Sequence, residues 1–330
     1  MRADLAVVVI GRNEGKRLVR SLEAVGALGL PAVYVDSGSS DGSPERARQA
    51  GFSVVELDPA RPFTAGRGRN EGLAFLLGRH PRLEAVQFVD GDCELVPGWI
   101  EAGLAGLRSD GRIAAICGRV RELDVRASIY NRLCDMEWDA PAGETRTCGG
   151  NVLLRVSAFQ EVGGFRPGFI AGEEPELCLR LRAAGWRILR SDREMVRHDA
   201  AMTRFSQWWR RARRAGWSYA AGAATHGATP ERHNVRDVRS ILFWGGALPA
   251  IALGLAPWTR GLSLALLAGY LVLAARVRAH GRRRGFAPAD ATLLAAFTVL
   301  AKFPQFLGVC EFHLRRLAGR SRGVMDWRGA

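Results

Sequence analysis

Leu5 to Ile10 is an unbroken apolar run rich in β-branched residues, the pattern of a strand covered on both faces in a parallel sheet. Gly11-Arg12-Asn13-Glu14 stops it, and Leu18, Leu22 and Val25 then recur at helical spacing. The alternation repeats along the chain. Ala32 to Val35 predicts a second strand, and Gly38 to Gly42 a loop before a helix around Pro44 to Ala50. Ser53 to Leu57 predicts a third strand, Arg67 to Leu77 a helix and Ala85 to Val89 a fourth strand. Strands alternating with helices predict an α/β fold on a doubly wound, mostly parallel sheet. Ligands of such sheets lie beyond the carboxyl ends of the strands. Here those ends deliver Arg12-Asn13-Glu14, Asp36-Ser37 and Asp90-Gly91-Asp92 to one edge.

From Arg204 the texture changes. Ser206 to Tyr219 is rich in Trp and Arg, an amphipathic pattern suited to a membrane interface. Ile241 to Trp258 and Leu262 to Val277 are long apolar stretches, each a little short of the roughly 20 residues that span a bilayer. A tight membrane hairpin over 241–277 is expected, the alternative being two core helices of a soluble domain. Asp290 to Cys310 is a third apolar stretch, interrupted by Lys302 and Pro304, and is expected to lie in the interface or re-enter. Arg276, Arg278, Arg282, Arg283 and Arg284 follow the second stretch, and Arg315, Arg316, Arg320 and Arg322 the third. Positive clusters stay on the cytoplasmic side, so a third full crossing would misplace one of them. The expected organisation is a catalytic domain over 1–220, a linker over 221–240, the hairpin over 241–277, and a basic loop, interfacial or re-entrant helix and basic tail over 278–330. The opening apolar run is too short for a signal peptide, which leaves the first domain expected in the cytoplasm.

At 330 residues and 48% hydrophobic composition the chain can bury a large core. Net charge is +14, carried almost wholly by arginine, with Lys16 and Lys302 the only lysines. Such basicity points to a polyanionic partner. The densest arginine runs flank apolar stretches, which favours a lipid surface over nucleic acid. Six cysteines, Cys93, Cys117, Cys134, Cys148, Cys178 and Cys310, are scattered without a C-x-x-C pair. They read as small buried side chains rather than a structural zinc framework.

Two carboxylates one residue apart, Asp90 and Asp92, can both reach a hard cation in a turn after a buried strand. Mg²⁺ or Mn²⁺ held there bridges to phosphate oxygens. Asp36 can accept from a base N–H or a ribose hydroxyl, and the small residues after it admit close approach. Asp41 or Ser43 in that loop also suits helix capping. Glu173, Glu174 and Glu176 open an amphipathic helix. Acids there suit the helix dipole; three within four positions exceed what capping needs, and one can deprotonate an acceptor hydroxyl. Gly149-Gly150-Asn151 lets backbone approach a sugar or phosphate, or is a plain turn. His198 is a candidate ligand through a neutral imidazole nitrogen. Gln207 and Arg210, in Gln207-Trp208-Trp209-Arg210-Arg211, suit a diphosphate clamp or an interfacial anchor.

Taken in order, these blocks resemble the family-2 glycosyltransferases of the GT-A fold over roughly residues 4 to 220. The resemblance rests on Val7 to Glu14, Val35 to Gly42, Gly68-Arg69-Asn70-Glu71-Gly72-Leu73, Asp90-Gly91-Asp92, Gly149-Gly150-Asn151 and Gly172 to Leu177. It implies an inverting, metal-dependent enzyme using UDP-, GDP- or dTDP-sugars. On that resemblance Asp36 and Arg69 serve the nucleobase end, Asp90 and Asp92 the donor ribose and metal, and His198 a further ligand. Glu174 stands at the catalytic base, with Glu173 beside it. Ser37 stands where many members carry a second acid. Arg211 stands where processive synthases carry Trp, which speaks against processive polymerisation. The chain is similar to non-processive, succinoglycan-type transferases at the inner membrane, acting on a lipid-linked or saccharide acceptor. Alternatives are a polyprenyl-phosphate sugar synthase and a catalytically silent membrane scaffold. A nucleotidyltransferase lacks support, because no glycine-rich loop with a phosphate-binding lysine opens the chain.

Overall fold

The computed structural model describes residues 4–319, and the chain divides into two compact units, Met1–Ala201 and Met202–Ala330. The first unit begins with β1 (Leu5–Gly11), α1 (Lys16–Gly26), β2 (Ala32–Asp36), α2 (Ser43–Gln49), β3 (Ser53–Glu56), α3 (Ala65–Arg79) and β4 (Ala85–Asp90). It continues with β5 (Cys93–Leu95), α4 (Trp99–Arg108), β6 (Ile113–Glu122), α5 (Ile129–Trp138) and β7 (Gly143–Glu144). It closes with β8 (Val152–Arg155), α6 (Val156–Glu161), α7 (Glu173–Ala183) and β9 (Arg187–His198). All nine strands form one sheet in the order β3-β2-β1-β4-β8-β6-β9-β5, with β7 on β9.

The first four strands are parallel, as the apolar runs predict. Beyond β4 the sheet is mixed: β8 runs antiparallel to β4 and β6, β9 parallel to β6, and β5 and β7 antiparallel to β9. Leu5 to Val9 are almost fully buried because helices cover both faces. The chain leaves β1 toward β2 and β3, then returns across it to β4. This reversal opens a crevice at the carboxyl ends of β1, β2 and β4, where the register sets Gly11 beside Asp36 and Ile10 beside Asp90.

Helix α3 buries Leu73 and Leu76 in the core and meets β1 and β2 most closely at a glycine. A Cβ on Gly72 would lie 2.5 Å from Val8 Cγ1 and 2.8 Å from Val35 Cγ2. Thr64 caps the helix by accepting from the Arg67 N–H. The close seat brings Arg69, on the next turn, to the strand ends. Gly72→Ala is expected to cost about 1–3 kcal/mol through overpacking, seen as a lower urea midpoint with an unchanged slope.

The second unit contains α8 (Phe205–His226), α9 (Val235–Leu242), α10 (Leu248–Gly254), α11 (Gly269–Arg283) and α12 (Pro288–Leu317). A π-helical turn, Phe243–Ala247, joins α9 to α10. Pro249 follows it, and the wider turn suits a residue that lacks an N–H and crowds the preceding carbonyl. A 3-10 segment, Leu262–Ala268, runs into α11. Among the described residues, the helical stretches long and apolar enough to cross a membrane are Leu262–Arg283 and Pro288–Leu317. The expected hairpin took 241–258 as its first arm. That stretch is helical only to Gly254, in two short helices and the π turn, whereas the third apolar stretch continues as one 30-residue helix through Pro304. A boundary at 220 falls inside α8, whose run of alanines reads on as helix rather than linker. Arg320 and Arg322 lie outside the described residues.

Helices α8 and α12 meet backbone to backbone. A Cβ on Gly216 would strike the Gln305 carbonyl, and one on Gly308 the Arg213 carbonyl. Arg213 and Arg315 both pair with Glu311, at 2.6 and 3.0 Å, and Trp217 meets Phe312 edge to face.

Candidate active site

Two loops beyond β1 and β2 are tied into one floor. The Asn13 N–H donates to Ser39 Oγ at 2.9 Å, and Asn13 Oδ1 accepts from the Ser40 N–H at 2.8 Å. Asp41 accepts from the Gly15 and Ser43 N–H groups at 2.9 and 3.0 Å and so bridges the loops; the N-cap of α2 is Gly42, not Asp41 or Ser43. Asp36 is buried; Oδ1 accepts from the Tyr34 hydroxyl at 2.9 Å, and Oδ2 from the Gly38 and Ser39 N–H groups at 2.9 and 2.7 Å. Its carboxylate therefore shapes the loop before it meets any ligand. Burial, and then the Asp36 charge, push the Tyr34 phenol well up and keep it a donor. Arg12 lies 5.7 Å from the Phe63 ring centre. Glu14 is turned inward to Arg17 at 2.8 Å.

The centre of the crevice is Arg69, with 2% of its surface exposed. One guanidinium nitrogen donates to Asp90 Oδ1 at 2.6 Å and the other terminal nitrogen to Glu173 Oε1 at 3.0 Å. Burial opposes its charge, yet the two carboxylates more than offset this and hold it firmly protonated. Gly150 leaves room for this cluster, since a Cβ there would lie 2.7 Å from Asp90 Oδ2. Gly149 takes the left-handed conformation, with φ 81°. Glu174 is buried beside them and is held by a different set of contacts. Its Oε1 accepts from the Cys148 N–H at 2.5 Å and from the Cys178 thiol at 2.9 Å.

Asp92 and His198 come together at the other end of the crevice, Oδ2 to Nε2 3.6 Å. The register of β5 on β9 sets Cys93 opposite His198 and completes a cluster within 4.8 Å. Asp90 falls outside this cluster. Asn151 positions both parts: Oδ1 accepts from the Asp90 N–H at 2.9 Å, and Nδ2 contacts Cys93 Sγ at 3.3 Å. Burial, and then the Asp92 and Asp90 charges, push the Cys93 thiol pKa well up. His198 Nδ1 faces buried Glu122 at 3.3 Å. Burial alone would lower the imidazole pKa, but the Glu122 contact and the Asp92 charge raise it. Arg20 ties Glu94 of β5, at 2.5 Å, to Asp199 just beyond His198, at 2.7 Å.

The fold thus joins Arg69, Asp90, Gly150 and Glu173, and separately Asp92 and His198. Gln207 and Arg210 belong to the second unit, where Gln207 Oε1 accepts from the Thr203 and Arg204 N–H groups at the start of α8. Glu122, Arg17 and Arg20 were not foreseen. No local signal marks Glu122 for burial in Arg119-Val120-Arg121-Glu122, which reads as an exposed strand end.

Residues 6–163 match the sequence profile of glycosyl transferase family 2, and residues 135–298 that of glycosyl transferase family group 2. Pre-mycofactocin glycosyltransferase of Mycobacterium tuberculosis is 28% identical over 264 residues, covering 75% of this chain and 52% of that protein. Glycosyltransferase AglE of Haloferax volcanii is 24% identical over 198 residues, covering 55% of this chain and 62% of that protein. The chain therefore spans about half the length of the first relative and less than two thirds of the second. Mannosyltransferase PcManGT from Pyrobaculum calidifontis, solved in complex with GDP-Man and Mn²⁺, superposes with a TM-score of 0.56 at 19% identity. The superposition covers 92% of this chain and 87% of that one, a likeness of fold.

Proposed function

The chain belongs to glycosyl transferase family 2, and on that premise we propose that it is an inverting, metal-dependent enzyme. It moves a sugar from a nucleotide-sugar donor to a lipid-linked saccharide or polysaccharide acceptor at the cytoplasmic face of a membrane. The observation that carries this reading is the convergence of Arg69, Asp90, Gly150 and Glu173, from four separate chain segments, in the crevice where β1 gives way to β4.

Asp92 and His198 fit a divalent cation such as Mg²⁺ or Mn²⁺. They offer a carboxylate oxygen and an imidazole nitrogen 3.6 Å apart, and a carboxylate behind the imidazole, Glu122, orients it. When bound, the cation neutralises the leaving diphosphate. The Cys93 sulfur, the third member of the cluster, is a soft donor and suits a hard cation less well. Asp36 and the welded loops beyond β1 and β2 form the nucleobase end. Arg69, locked between two acids, fixes Asp90 toward the donor. Glu174 is the base: Cys148 and Cys178 hold Oε1, while Oε2 has no partner among the described residues. A carboxylate fixed through one oxygen and free at the other suits removal of a proton from an acceptor hydroxyl during in-line attack.

Membrane association rests on the two apolar helical stretches and on the arginines beside them. The test of the enzymatic reading is a screen of UDP-, GDP- and dTDP-sugars for Mn²⁺-dependent hydrolysis by purified protein. One donor class is expected to be hydrolysed, with loss of turnover on chelation. Failure of every donor to bind or react with metal present would overturn it.

A further inference from the structure

Cys148 and Cys178 are 30 positions apart, one preceding the Gly149-Gly150 loop and one on α7, yet their sulfurs lie 3.4 Å apart. Glu174 Oε1 lies 2.9 Å from Cys178 Sγ. All three ligand atoms fall within 4.8 Å of one another, and all three residues are buried. We propose that Cys148, Cys178 and Glu174 form a site for a thiophilic divalent cation of the zinc class, separate from Asp92 and His198, and that its occupation withdraws Glu174 from catalysis. The second half of this proposal rests on the reading of Glu174 as the base.

The geometry favours a cation over a disulfide. A tetrahedral zinc with Zn–S near 2.3 Å sets its two sulfurs about 3.8 Å apart, within a few tenths of an ångström of the observed spacing. A disulfide at about 2.05 Å would require the sulfurs to close by more than an ångström. Two thiols and one carboxylate make a softer donor set than Asp92 and His198, and so select zinc over magnesium or manganese. Binding exchanges two S–H protons, released to solvent, for two metal–sulfur bonds, with no oxidant or reductant required. The third bond uses the carboxylate that would otherwise receive the acceptor proton.

The test uses the full purified chain, Co²⁺ as a spectroscopic probe and Zn²⁺ as inhibitor. Wild type with Co²⁺ is expected to show a thiolate-to-metal charge-transfer band that Zn²⁺ abolishes and that both Cys148→Ser and Cys178→Ser lose. Each serine keeps a small polar side chain, and unchanged far-ultraviolet circular dichroism verifies folding. In Mn²⁺-supported donor turnover, zinc at about ten times its dissociation constant leaves about one base in eleven free, a roughly tenfold loss. Each serine variant should retain its own zinc-free rate under the same addition. Absence of the band, its persistence in the double serine variant, or equal zinc inhibition of wild type and variants would overturn the proposal. So would formation of a Cys148–Cys178 disulfide in place of metal uptake. A cysteine-dependent band in a chain that turns over no donor would support the metal site while removing the reading of Glu174 as base.

Discussion

Glu174→Gln is expected to bind donor as wild type does and to lose transfer by about 10²–10⁴-fold in kcat. The amide oxygen of glutamine can still accept from the Cys148 N–H and the Cys178 thiol, the two contacts that hold this side chain. Shape and seating are therefore kept, and only the capacity to take a proton is removed. The donor dissociation constant should change little, because Arg69 holds both Asp90 and Glu173 independently of Glu174. Titration calorimetry with the donor, alongside single-turnover transfer, separates the two quantities. A variant that transfers at the wild-type rate would exclude Glu174 as the base.

Asp92→Ala should produce the opposite split. The substitution removes the carboxylate that faces His198 at 3.6 Å and leaves the imidazole still oriented by Glu122. Loss even of a group behind a metal ligand costs 10- to 100-fold in affinity, so removal of the ligand itself should cost about a hundredfold or more. Donor binding measured at saturating Mn²⁺ should fall toward the level seen with chelator, while binding without metal stays as it was. Metal-dependent donor binding that survives in Asp92→Ala would remove this residue from the cation site. Wild-type activity in both Asp92→Ala and Glu174→Gln would sink the enzymatic assignment as a whole.

The first half of the sheet was legible because buried parallel strands write their positions as continuous apolar runs. Each of the first four predicted strands matches the structure to within one residue at either end. The second half is not legible in the sequence, for physical reasons visible in its strands. β5 has three residues and β7 two, too few for any periodicity. β9 has twelve residues with arginines at 187, 190, 193 and 197, and its pairing with β6 shifts register twice within Cys117 to Val120. Among the site residues, Asp36, Asp90 and Asp92 announced themselves by following strands. Arg69 came from the family resemblance, since a buried arginine has no local signature. Glu122 and the Cys148–Cys178 pair depend on strands and helices meeting from far apart in sequence, so no spacing rule finds them. The membrane stretches were legible as apolar content but not as helix limits, because Lys302 and Pro304 read as interruptions while α12 continues past both.

The glycine contact between α8 and α12 removes the layer of side chains on which two helices ordinarily slide. Gly216 lies on the Trp- and Arg-bearing helix, and Gly308 on the longest apolar one. A side chain at either glycine would run into the partner helix's backbone, so any larger residue there must push α8 and α12 apart.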